Sequence, residues 1–570
     1  MAQQTRTATT HSARSSGSGD ELVYLPLGGA GEIGMNLYLY GFGPSDARQW
    51  LMVDLGITFP EEGQPGVDII LPDIRFIEEE AKGLQGIVLT HAHEDHFGAV
   101  IELWPRLKAP VYATPFTAAL LKAKMAEQGV RVPIPIREVP LKGRVKIGPF
   151  DVEFVTVAHS IPEPNALAIR TPLGLVFHSG DWKLDPDPVA GAATDLERIK
   201  QIADEGIMAF VCDSTNAMRD GFSPSEAAVT KSITEIIRGA KRAVAVTTFA
   251  SNVARLRAVA DAASAAGRHL VVAGRSMHRV IEVARETGYL PRNFKYYDQN
   301  EYGYLEPSEV VCLCTGSQGE PRAAMARIAE DQHPAIALKR GDLVIFSSRT
   351  IPGNETAIGR IQNQLAGLGC EIITDANALV HVTGHPRRGE LKQMYALTKP
   401  GLAVPMHGEL RHMEEHARLA REAGIKDVRT VHNGQILRLA PGAPKIIDEA
   451  PTGRLYRDGR LIISAEDVPV RQRRKLAVVG LVAVAIVVDK KGELLADPEI
   501  ELDGIPERDA AGRAMLELVA DAVEGTIESI PRPRRRDLNT ISEAVRRSVR
   551  ARVDEAWGKK PICKVLLTQV

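Results

Sequence analysis

The stretch "GIVLTHAHEDHFGAV", residues 86–100, places three histidines and two carboxylates within six positions, directly after an apolar run. A protein core cannot bury so many polar side chains unless each of them has a partner. Neutral imidazoles and carboxylates are the groups that bind zinc and similar divalent ions. The stretch therefore predicts a metal site at the end of a strand rather than a solvated polar turn.

The spacing within this stretch indicates two ions. His91 and His93 stand at i and i+2, so on extended backbone they share one face and can chelate one ion. Asp95 and His96 follow at once on a turn, too close to the first pair to serve the same ion. We therefore expect a second metal ion beside the first.

Further candidate ligands follow apolar runs elsewhere in the chain. His159 follows the apolar run in "VEFVTVAHS", Asp181 lies at the end of "GLVFHSGD", and His407 follows the apolar run in "LAVPMHGE". One such histidine alone would be an ordinary loop residue. Together, polar side chains at several strand ends are what a metal centre on the rim of a sheet requires.

Composition limits the classes of protein that fit. The chain has 570 residues, which predicts two to four domains. The formal net charge of -2 shows no overall basic excess, although a local basic groove would suffice for a nucleic acid. The five scattered cysteines argue against a disulfide framework and favour a reducing cytoplasm.

Two segments bear on disorder and on membrane insertion. Residues 1–20 contain little apolar surface and predict a disordered tail. The apolar run at residues 476–488 is shorter than the roughly 20 residues that span a bilayer. We expect it to form a buried strand or strand pair with Gly480 at a bend, and we expect no membrane segment.

The pattern of short runs predicts the domain organisation. Residues 21–222 alternate β-like runs with turns, residues 223–378 alternate strands with helices, and short strands return in residues 379–450. Residues 451–475 are rich in proline, glycine and charge and predict a linker. A separate α/β domain is expected over residues 476–570.

The glycines of "GGAGEIGMN" imitate a dinucleotide-binding motif. Gly29, Gly31 and Gly34 have the required spacing, and Asp54 lies 20 positions beyond the last of them. That motif needs a helix at its last glycine, whereas "MNLYLYGFG" follows with a β-like alternation. The sequence favours a tight hairpin near the active site.

The histidine motif is similar to that of the metallo-β-lactamase superfamily, which has H-x-H-x-D-H, then a lone histidine, then Gly-Asp. The resemblance implies an αββα sandwich. It implies one metal bound by His91, His93 and His159. It implies a second bound by Asp95, His96 and His407, with Asp181 bridging the two ions and Asp54 ordering the metal loop.

A longer set of motifs narrows the resemblance. Asp181 and His407 are 226 positions apart, and the intervening module resembles the β-CASP insertion of nucleic-acid-processing members. Asp213 in "CDSTN", His385 in "VTGHPRRGEL" and His407 match the three extra motifs of that group. The opening "LGGAGEIGMN", the "FASN" at residues 249–252 and the C-terminal domain resemble ribonuclease J, a family of bacterial RNA-degrading enzymes.

This resemblance implies an α/β protein: a metallo-β-lactamase sandwich with an inserted β-CASP βαβ domain and a small C-terminal α/β domain. It implies a metal-dependent 5′→3′ exonuclease that prefers 5′-monophosphate RNA, with some endonuclease activity, in RNA maturation and decay. Two divalent ions are expected, zinc first and manganese or magnesium as alternatives. The expected partners are single-stranded RNA, a second copy in a homodimer or dimer of dimers, and proteins of an RNA-decay complex.

Roles follow for individual residues. Asp181, Asp213 and His385 are the expected catalytic residues, and His385 either steadies the phosphate or protonates the leaving 3′-oxygen. Ser251 and Asn252 precede a helix whose amides suit an anion. With His381, Thr383, Gly384 and His385 they are expected to bind the terminal nucleotide. Arg387 and Arg388 contact RNA or face solvent, and the sequence does not decide between these.

Two other functions compete with this one. A small-molecule metallohydrolase such as a lactonase or thioesterase would share the metal motif, but it would not need the long insertion. An inactive RNA-binding scaffold would share the fold, but the presence of all seven predicted ligands argues against it.

Overall fold

The structure is a computed structural model that describes residues 19–61, 63–351 and 353–570. The predicted disordered tail, residues 1–20, therefore lies almost wholly outside the described residues. The chain forms two compact units. Of the described residues, the first unit contains those up to Thr58 and those of Ile70–Arg454, and the second contains those of Phe59–Ile69 and Leu455–Val570.

The N-terminal part of the first unit is mainly β-structure. Its strands are β1 (Glu21–Gly28), β2 (Ala30–Gly31), β3 (Leu37–Gly43), β4 (Gln49–Val53), β5 (Ile69–Pro72), β6 (Leu84–Val88), β7 (Val111–Ala113), β8 (Ile136–Glu138), β9 (Arg144–Ile147), β10 (Phe150–Thr156), β11 (Asn165–Thr171), β12 (Gly174–His178) and β13 (Ile207–Asp213). Its helices are α1 (Arg75–Glu79), α2 (Glu94–Phe97), α3 (Val100–Leu107), α4 (Pro115–Glu127) and α5 (Leu196–Asp204).

An inserted domain of alternating helices and strands follows. It contains α6 (Glu226–Gly239), β14 (Val244–Thr247), α7 (Val253–Ala265), β15 (His269–Ala273), α8 (Arg275–Glu286), β16 (Tyr297–Asp298), β17 (Val310–Cys314), α9 (Ala324–Ala329), β18 (Leu343–Phe346), α10 (Glu355–Gly367) and β19 (Glu371–Ile373). The chain then returns through α11 (Arg388–Thr398), β20 (Leu402–Met406), β21 (Gly408–Glu409), α12 (Leu410–Glu422), β22 (Asp427–Val428), β23 (Gln435–Ala440) and β24 (Lys445–Glu449).

Two sheets of the first unit pack face to face as a sandwich. One has the strand order β24-β23-β1-β3-β4-β6-β7-β8 and the other has β22-β20-β13-β12-β11-β10-β9. Inward-facing side chains from both sheets form one buried core, which includes Tyr24, Val53, Phe154 and Val404. Residues of α5, α11 and α12 bury the outer face of the second sheet. The predicted αββα sandwich is confirmed.

The inserted domain has a sheet of six strands in the order β16-β15-β17-β14-β18-β19. Every neighbouring pair in it is parallel. Such a sheet is covered by helices on both faces, so its strands read as continuous apolar runs. "VVCLC" at β17 is fully buried, and its cysteines are free.

The second unit contains the C-terminal residues. Its elements are β25 (Arg454–Asp458), β26 (Leu461–Ser464), α13 (Val468–Val479), β27 (Leu481–Val488), β28 (Glu499–Asp503), α14 (Met515–Ser529), α15 (Leu538–Trp557) and β29 (Ile562–Gln569). The last three strands form a sheet in the order β28-β27-β29. One face of β27 packs on apolar side chains of α14 and α15.

Two expectations for this region need correction. Residues 451–475, predicted as a linker, contain the β25–β26 hairpin and most of α13, because Leu455, Tyr456 and Val470 are buried. The apolar run at residues 476–488 is a strand only from Leu481, since its first residues end α13. Gly480 joins the helix to the strand with a positive φ of 63°.

The motif at Gly29–Gly34 leads into β3 and not into a helix, which removes the dinucleotide interpretation. Among the residues that the structure describes, none of the helices combines the length and the apolar character that a membrane crossing requires.

Candidate metal centre

The histidine motif lies at the rim of the sandwich, in the loop after β6. The strand ends at Val88, so His91 and His93 belong to this loop and not to the strand itself. His93 is the N-cap of the one-turn helix α2, whose first turn carries Asp95 and His96. The turn separates the two pairs of side chains, as their sequence spacing predicts.

A first group of ligand atoms comes from His91, His93, His159 and Asp181, all within 4.8 Å of one another. The His93 Nδ1 atom lies 3.1 Å from His91 Nε2 and 3.1 Å from His159 Nε2. Two ligands of a tetrahedral zinc ion are ~3.3 Å apart when the Zn–N bonds are about 2.0–2.1 Å. The three ring nitrogens are therefore spaced as ligands of one ion.

A second group contains Asp95, His96, Asp181 and His407, also within 4.8 Å. His96 Nε2 lies 3.2 Å from Asp181 Oδ2, and His407 Nε2 lies 3.4 Å from Asp95 Oδ2. Asp181 belongs to both groups. The structure thus brings together the seven side chains that the sequence predicts as metal ligands. They form the two sets that the family resemblance implies.

Burial and charge act differently on the two groups. Burial lowers the pKa of His91 and His159, and lowers that of His93 to about 4, so these rings stay neutral and keep a lone pair for a metal. Burial would also lower the pKa of His407, but the carboxylates of Asp181 and Asp95 raise it to about 10. The carboxylates of the second group therefore favour positive charge at this place, which a divalent ion would supply instead of the ring proton, and the donor set fits divalent metal ions.

Asp54 supports the ligands from behind. Its carboxylate accepts hydrogen bonds from Thr90 N and Thr90 Oγ1, both at 2.8 Å, and its Oδ2 lies 2.7 Å from His96 Nδ1. Both Asp54 and His407 have positive φ angles, 62° and 48°. Such backbone is uncommon outside glycine and concentrates at functional sites.

Asp213 and His385 lie beside the second group. His385 Nδ1 is 2.8 Å from Asp213 Oδ2, and with Asp181 and His407 these residues form a third set within 4.8 Å. Burial lowers the pKa of His385, but the Asp213 and Asp181 carboxylates more than offset this and raise it. The His385 side chain keeps 21% of its surface exposed, so it can meet a substrate.

The segment around His385 is bonded to the metal ligands. It was expected to be a strand, but residues 379–387 form an irregular loop. The Gly384 carbonyl accepts a 2.6 Å hydrogen bond from His159 Nδ1. Thr383 Oγ1 accepts hydrogen bonds from His385 N and from Asn216 Nδ2. His381 is partly buried, and burial lowers the pKa of its ring well below the usual value.

Ser251 and Asn252 lie on the turn between β14 and α7. Asn252 is the N-cap of α7, and its side-chain oxygen accepts a 2.9 Å hydrogen bond from Arg255 N. Val253 N donates to Ser251 O. The helix start is therefore less open to an anion than the sequence suggested, although the half-buried Ser251 hydroxyl and the Asn252 amide nitrogen are not used by this cap.

Sequence reasoning missed three supporting residues. Asn36 Nδ2 donates to the Asp95 carbonyl at 3.0 Å, and Asn216 Nδ2 contacts both Thr383 and His385 O. The third, Glu390, is fully buried. Asn36 lies at the end of the glycine motif, which was a usable signal, whereas Asn216 and most partners of Glu390 lie far from each other in the sequence.

Glu390 joins the two points where the chain crosses between the sandwich and the inserted domain. Its Oε2 accepts hydrogen bonds from Ser223 N at 3.1 Å, Ser223 Oγ at 3.0 Å and Arg387 N at 2.8 Å. Its Oε1 accepts from Leu184 N at 2.9 Å, three residues after Asp181. One carboxylate thus connects both crossings to the loop of the shared metal ligand.

Comparison with family models agrees with this architecture. Residues 64–201 match the beta-lactamase superfamily domain, and residues 371–431 match the Zn-dependent metallo-hydrolase RNA specificity domain. Residues 241–365 match "Ribonuclease J, beta-CASP domain" and residues 468–570 match "Ribonuclease J C-terminal domain". Fold and site together define a metallo-β-lactamase-type hydrolase with a β-CASP insertion.

Whole-chain relatives specify the family. The chain is 53% identical to Ribonuclease J of Sinorhizobium meliloti, over 97% of this chain and 98% of that protein. It is 34% identical to Ribonuclease J of Thermus thermophilus, over 96% and 95%, and 32% identical to Ribonuclease J2 of Bacillus subtilis, over 96% and 98%. The chain belongs to the ribonuclease J family, so it is a metallo-β-lactamase-type ribonuclease.

A solved structure shares the fold. A protein of unknown function from Enterococcus faecalis V583 is 15% identical, with a TM-score of 0.50, and the match covers 73% of this chain and all of that one. At this identity the likeness concerns the fold alone.

Proposed function

We propose that this ribonuclease degrades single-stranded RNA from the 5′ end, prefers a 5′-monophosphate, and also cleaves internally, in RNA maturation and decay. We further propose two divalent ions per chain, with zinc as the metal. The observation that carries the proposal is the pair of four-ligand groups that share Asp181, bonded through His159 to the Gly384 segment.

Two bound divalent ions would activate a water molecule and neutralise charge on the scissile phosphate. His91, His93 and His159 would bind one ion, while Asp95, His96 and His407 would bind the other, with Asp181 between them. Asp54 and Asn36 hold the ligands of the second group in place, which keeps the site preorganised.

His385 and Asp213 form a pair suited to the phosphate chemistry. The 2.8 Å contact with Asp213 fixes the imidazole ring and favours its protonated form. A protonated His385 can donate a hydrogen bond to a phosphate oxygen or a proton to the leaving 3′-oxygen. Both roles need the same contact, and Asp213 acts by holding His385 in the charged state.

The proposed pocket for the terminal phosphate uses Ser251, Asn252 and residues 381–385. It would bind by the Ser251 and Thr383 hydroxyls, the Asn252 side-chain amide, the Gly384 backbone and the imidazoles of His381 and His385. A monophosphate fits a small set of donors of this kind, and a triphosphate adds charge and bulk. Losing one or two charge-assisted hydrogen bonds corresponds to about ten- to hundredfold discrimination.

We also propose that the chain self-associates as a dimer or a dimer of dimers through the outer face of the C-terminal sheet. Leu566 on β29 is 65% exposed and Val487 on β27 is 37% exposed, next to Ala485, which pairs with Leu566. An apolar strip of this kind is characteristic of an interface. Few cysteines, none of them paired, suit a reducing cytoplasm and assembly with other RNA-decay proteins.

The experiment compares initial rates on 5′-monophosphate RNA, 5′-triphosphate RNA and circular RNA without ends. Ser251→Ala should reduce the monophosphate preference and leave cleavage of the circle nearly unchanged. Ser264→Ala, on an exposed position of α7, is the matched control. His93→Ala should abolish hydrolysis of all three substrates. Equal losses in Ser251→Ala on linear and circular RNA would mean that this residue does not sense the end.

A further inference from the structure

Two loops meet at the carboxyl edge of the inserted sheet. β14 and β18 are parallel neighbours, and the chain leaves β14 towards β15 on one side and β18 towards β19 on the other. In parallel sheets the crevice at such a change of direction is the usual place for a ligand. The loop after β14 carries Ser251 and Asn252, and the loop after β18 carries Arg349.

Arg349 is connected by hydrogen bonds through Asn216 to the Thr383–His385 segment, which is part of the proposed phosphate pocket. Its Nη1 donates a 2.9 Å hydrogen bond to Asn216 Oδ1. Asn216 in turn donates to Thr383 Oγ1 at 2.7 Å and to His385 O at 3.3 Å. Within the described residues this is the only hydrogen bond of the Arg349 guanidinium, which leaves four of its five N–H donors.

Arg387 and Arg388 are neighbours in sequence but differ in their surroundings. Arg388 is neutralised, since it forms ion pairs with Glu415, Asp220 and Glu422. Arg387, two residues after His385, forms no ion pair with the residues that the structure describes, and its Nε is buried without a hydrogen-bond partner. A buried donor without a partner is costly unless a ligand satisfies it.

Arg349 and Arg387 lie close enough for their charges to interact. Burial lowers the pKa of Arg349, and the charges of Arg219 and Arg387 lower it further, while Asp375 opposes this effect. Arg349 also acts on His381 and His412, so its charge lies close to the site. Like charges brought together in a half-buried place are stabilised by an anion between them.

We propose that Arg349 and Arg387 form a phosphate-binding site for the RNA strand, beside the Thr383–His385 contacts. The proposal rests on the proposed function in that the bound strand leads into the metal centre. Guanidinium groups suit this role because their planar donors bind two phosphate oxygens at once. Arg388, by contrast, serves the packing of α11.

The test uses binding of a hydrolysis-resistant, phosphorothioate-linked RNA to the full chain, over a range of salt concentrations. Arg349→Gln and Arg387→Gln should each raise Kd about tenfold, the effect of losing one charge-assisted hydrogen bond. Each should also reduce the slope of log K against log salt by about 0.7, the value for one phosphate contact in single strands. Arg388→Gln, the matched control, should leave the slope unchanged.

Comparing RNAs with two different 5′ ends shows which phosphate the two arginines bind. A loss confined to 5′-monophosphate RNA assigns the arginines to the terminal phosphate, and an equal loss on 5′-hydroxyl RNA assigns them to an internal phosphate of the backbone. Unchanged slopes in both variants would overturn the proposal. Arg349→Lys keeps the charge and should keep most of the slope, which separates charge from any loss of the Asn216 contact.

The proposed preference for a 5′-monophosphate end can be tested on the wild-type chain alone. If it hydrolyses 5′-monophosphate and 5′-hydroxyl RNA of natural linkage at equal rates, the proposed end preference fails. The salt slopes of the arginine variants still decide whether the phosphate site exists.

Discussion

Asp54 contacts three hydrogen-bond donors of the loop that holds the metal ligands, although it belongs to neither ligand group itself. Its position after β4 was readable from the sequence only through the family motif, because a buried aspartate at a strand end has many possible roles. His407, by contrast, could be selected directly because it follows the apolar run of β20, and its amide donates a 2.7 Å hydrogen bond to Gly29 O. Histidines after apolar runs were the strong local signal. Asn216 and Glu390 gave no such signal, since their partners lie 167 and 206 positions away.

Asp54→Asn should weaken metal binding ten- to a hundredfold, because the amide cannot both accept from Thr90 and hold the His96 ring as the carboxylate does. The measurement is competition with a fluorescent chelator, on protein first stripped of metal. Asp46→Asn, on the exposed turn between β3 and β4, is the control and should bind metal normally. Normal affinity in Asp54→Asn would show that the ring of His96 is oriented by other contacts.

At the scale of elements, the regular alternation of strands and helices was predictable from the sequence, whereas the pairing of short strands was not. The inserted domain could be recognised because its four central strands, β15, β17, β14 and β18, are largely apolar, buried runs that alternate with helices. The β25–β26 hairpin could not, because it buries few side chains and receives a hydrogen bond from Asp68 N to Arg457 O, far away in the chain. The end of α13 was missed for another reason: its last residues are as apolar as the strand that follows.

Gly480→Ala should destabilise the C-terminal unit by about 2 kcal/mol, since its φ of 63° and ψ of -173° are almost restricted to glycine. A Cβ there would also lie 2.7 Å from Asp503 O. The measurement is denaturant unfolding of the full chain. Gly525→Ala, inside α14 with open space around the new Cβ, should instead stabilise by about 0.5–1 kcal/mol. Equal effects at the two glycines would contradict this account of the junction.

For the whole molecule, the proposed self-association can be tested at the outer face of the C-terminal sheet. Leu566→Glu places a charge on the outer face of the C-terminal sheet, where desolvating it would oppose contact between copies. We expect this variant to sediment as a smaller species than the wild type at equal concentration. Leu516→Glu, on an exposed position of α14, tests whether any added charge has this effect. An unchanged sedimentation coefficient in Leu566→Glu would place the contact elsewhere.

Glu390 has a kinetic consequence for isotope exchange. The amides of Leu184, Ser223 and Arg387 come from three distant parts of the chain, yet all donate to its one carboxylate. Breaking any one of these hydrogen bonds leaves the buried Glu390 carboxylate with an unsatisfied acceptor site. We therefore expect the three amides to exchange with deuterium through one concerted opening of the structure. Mass spectrometry of peptides covering the three positions should give matching protection factors, and Glu390→Gln should lower all three together. Widely different factors would mean that the two crossings of the chain open independently.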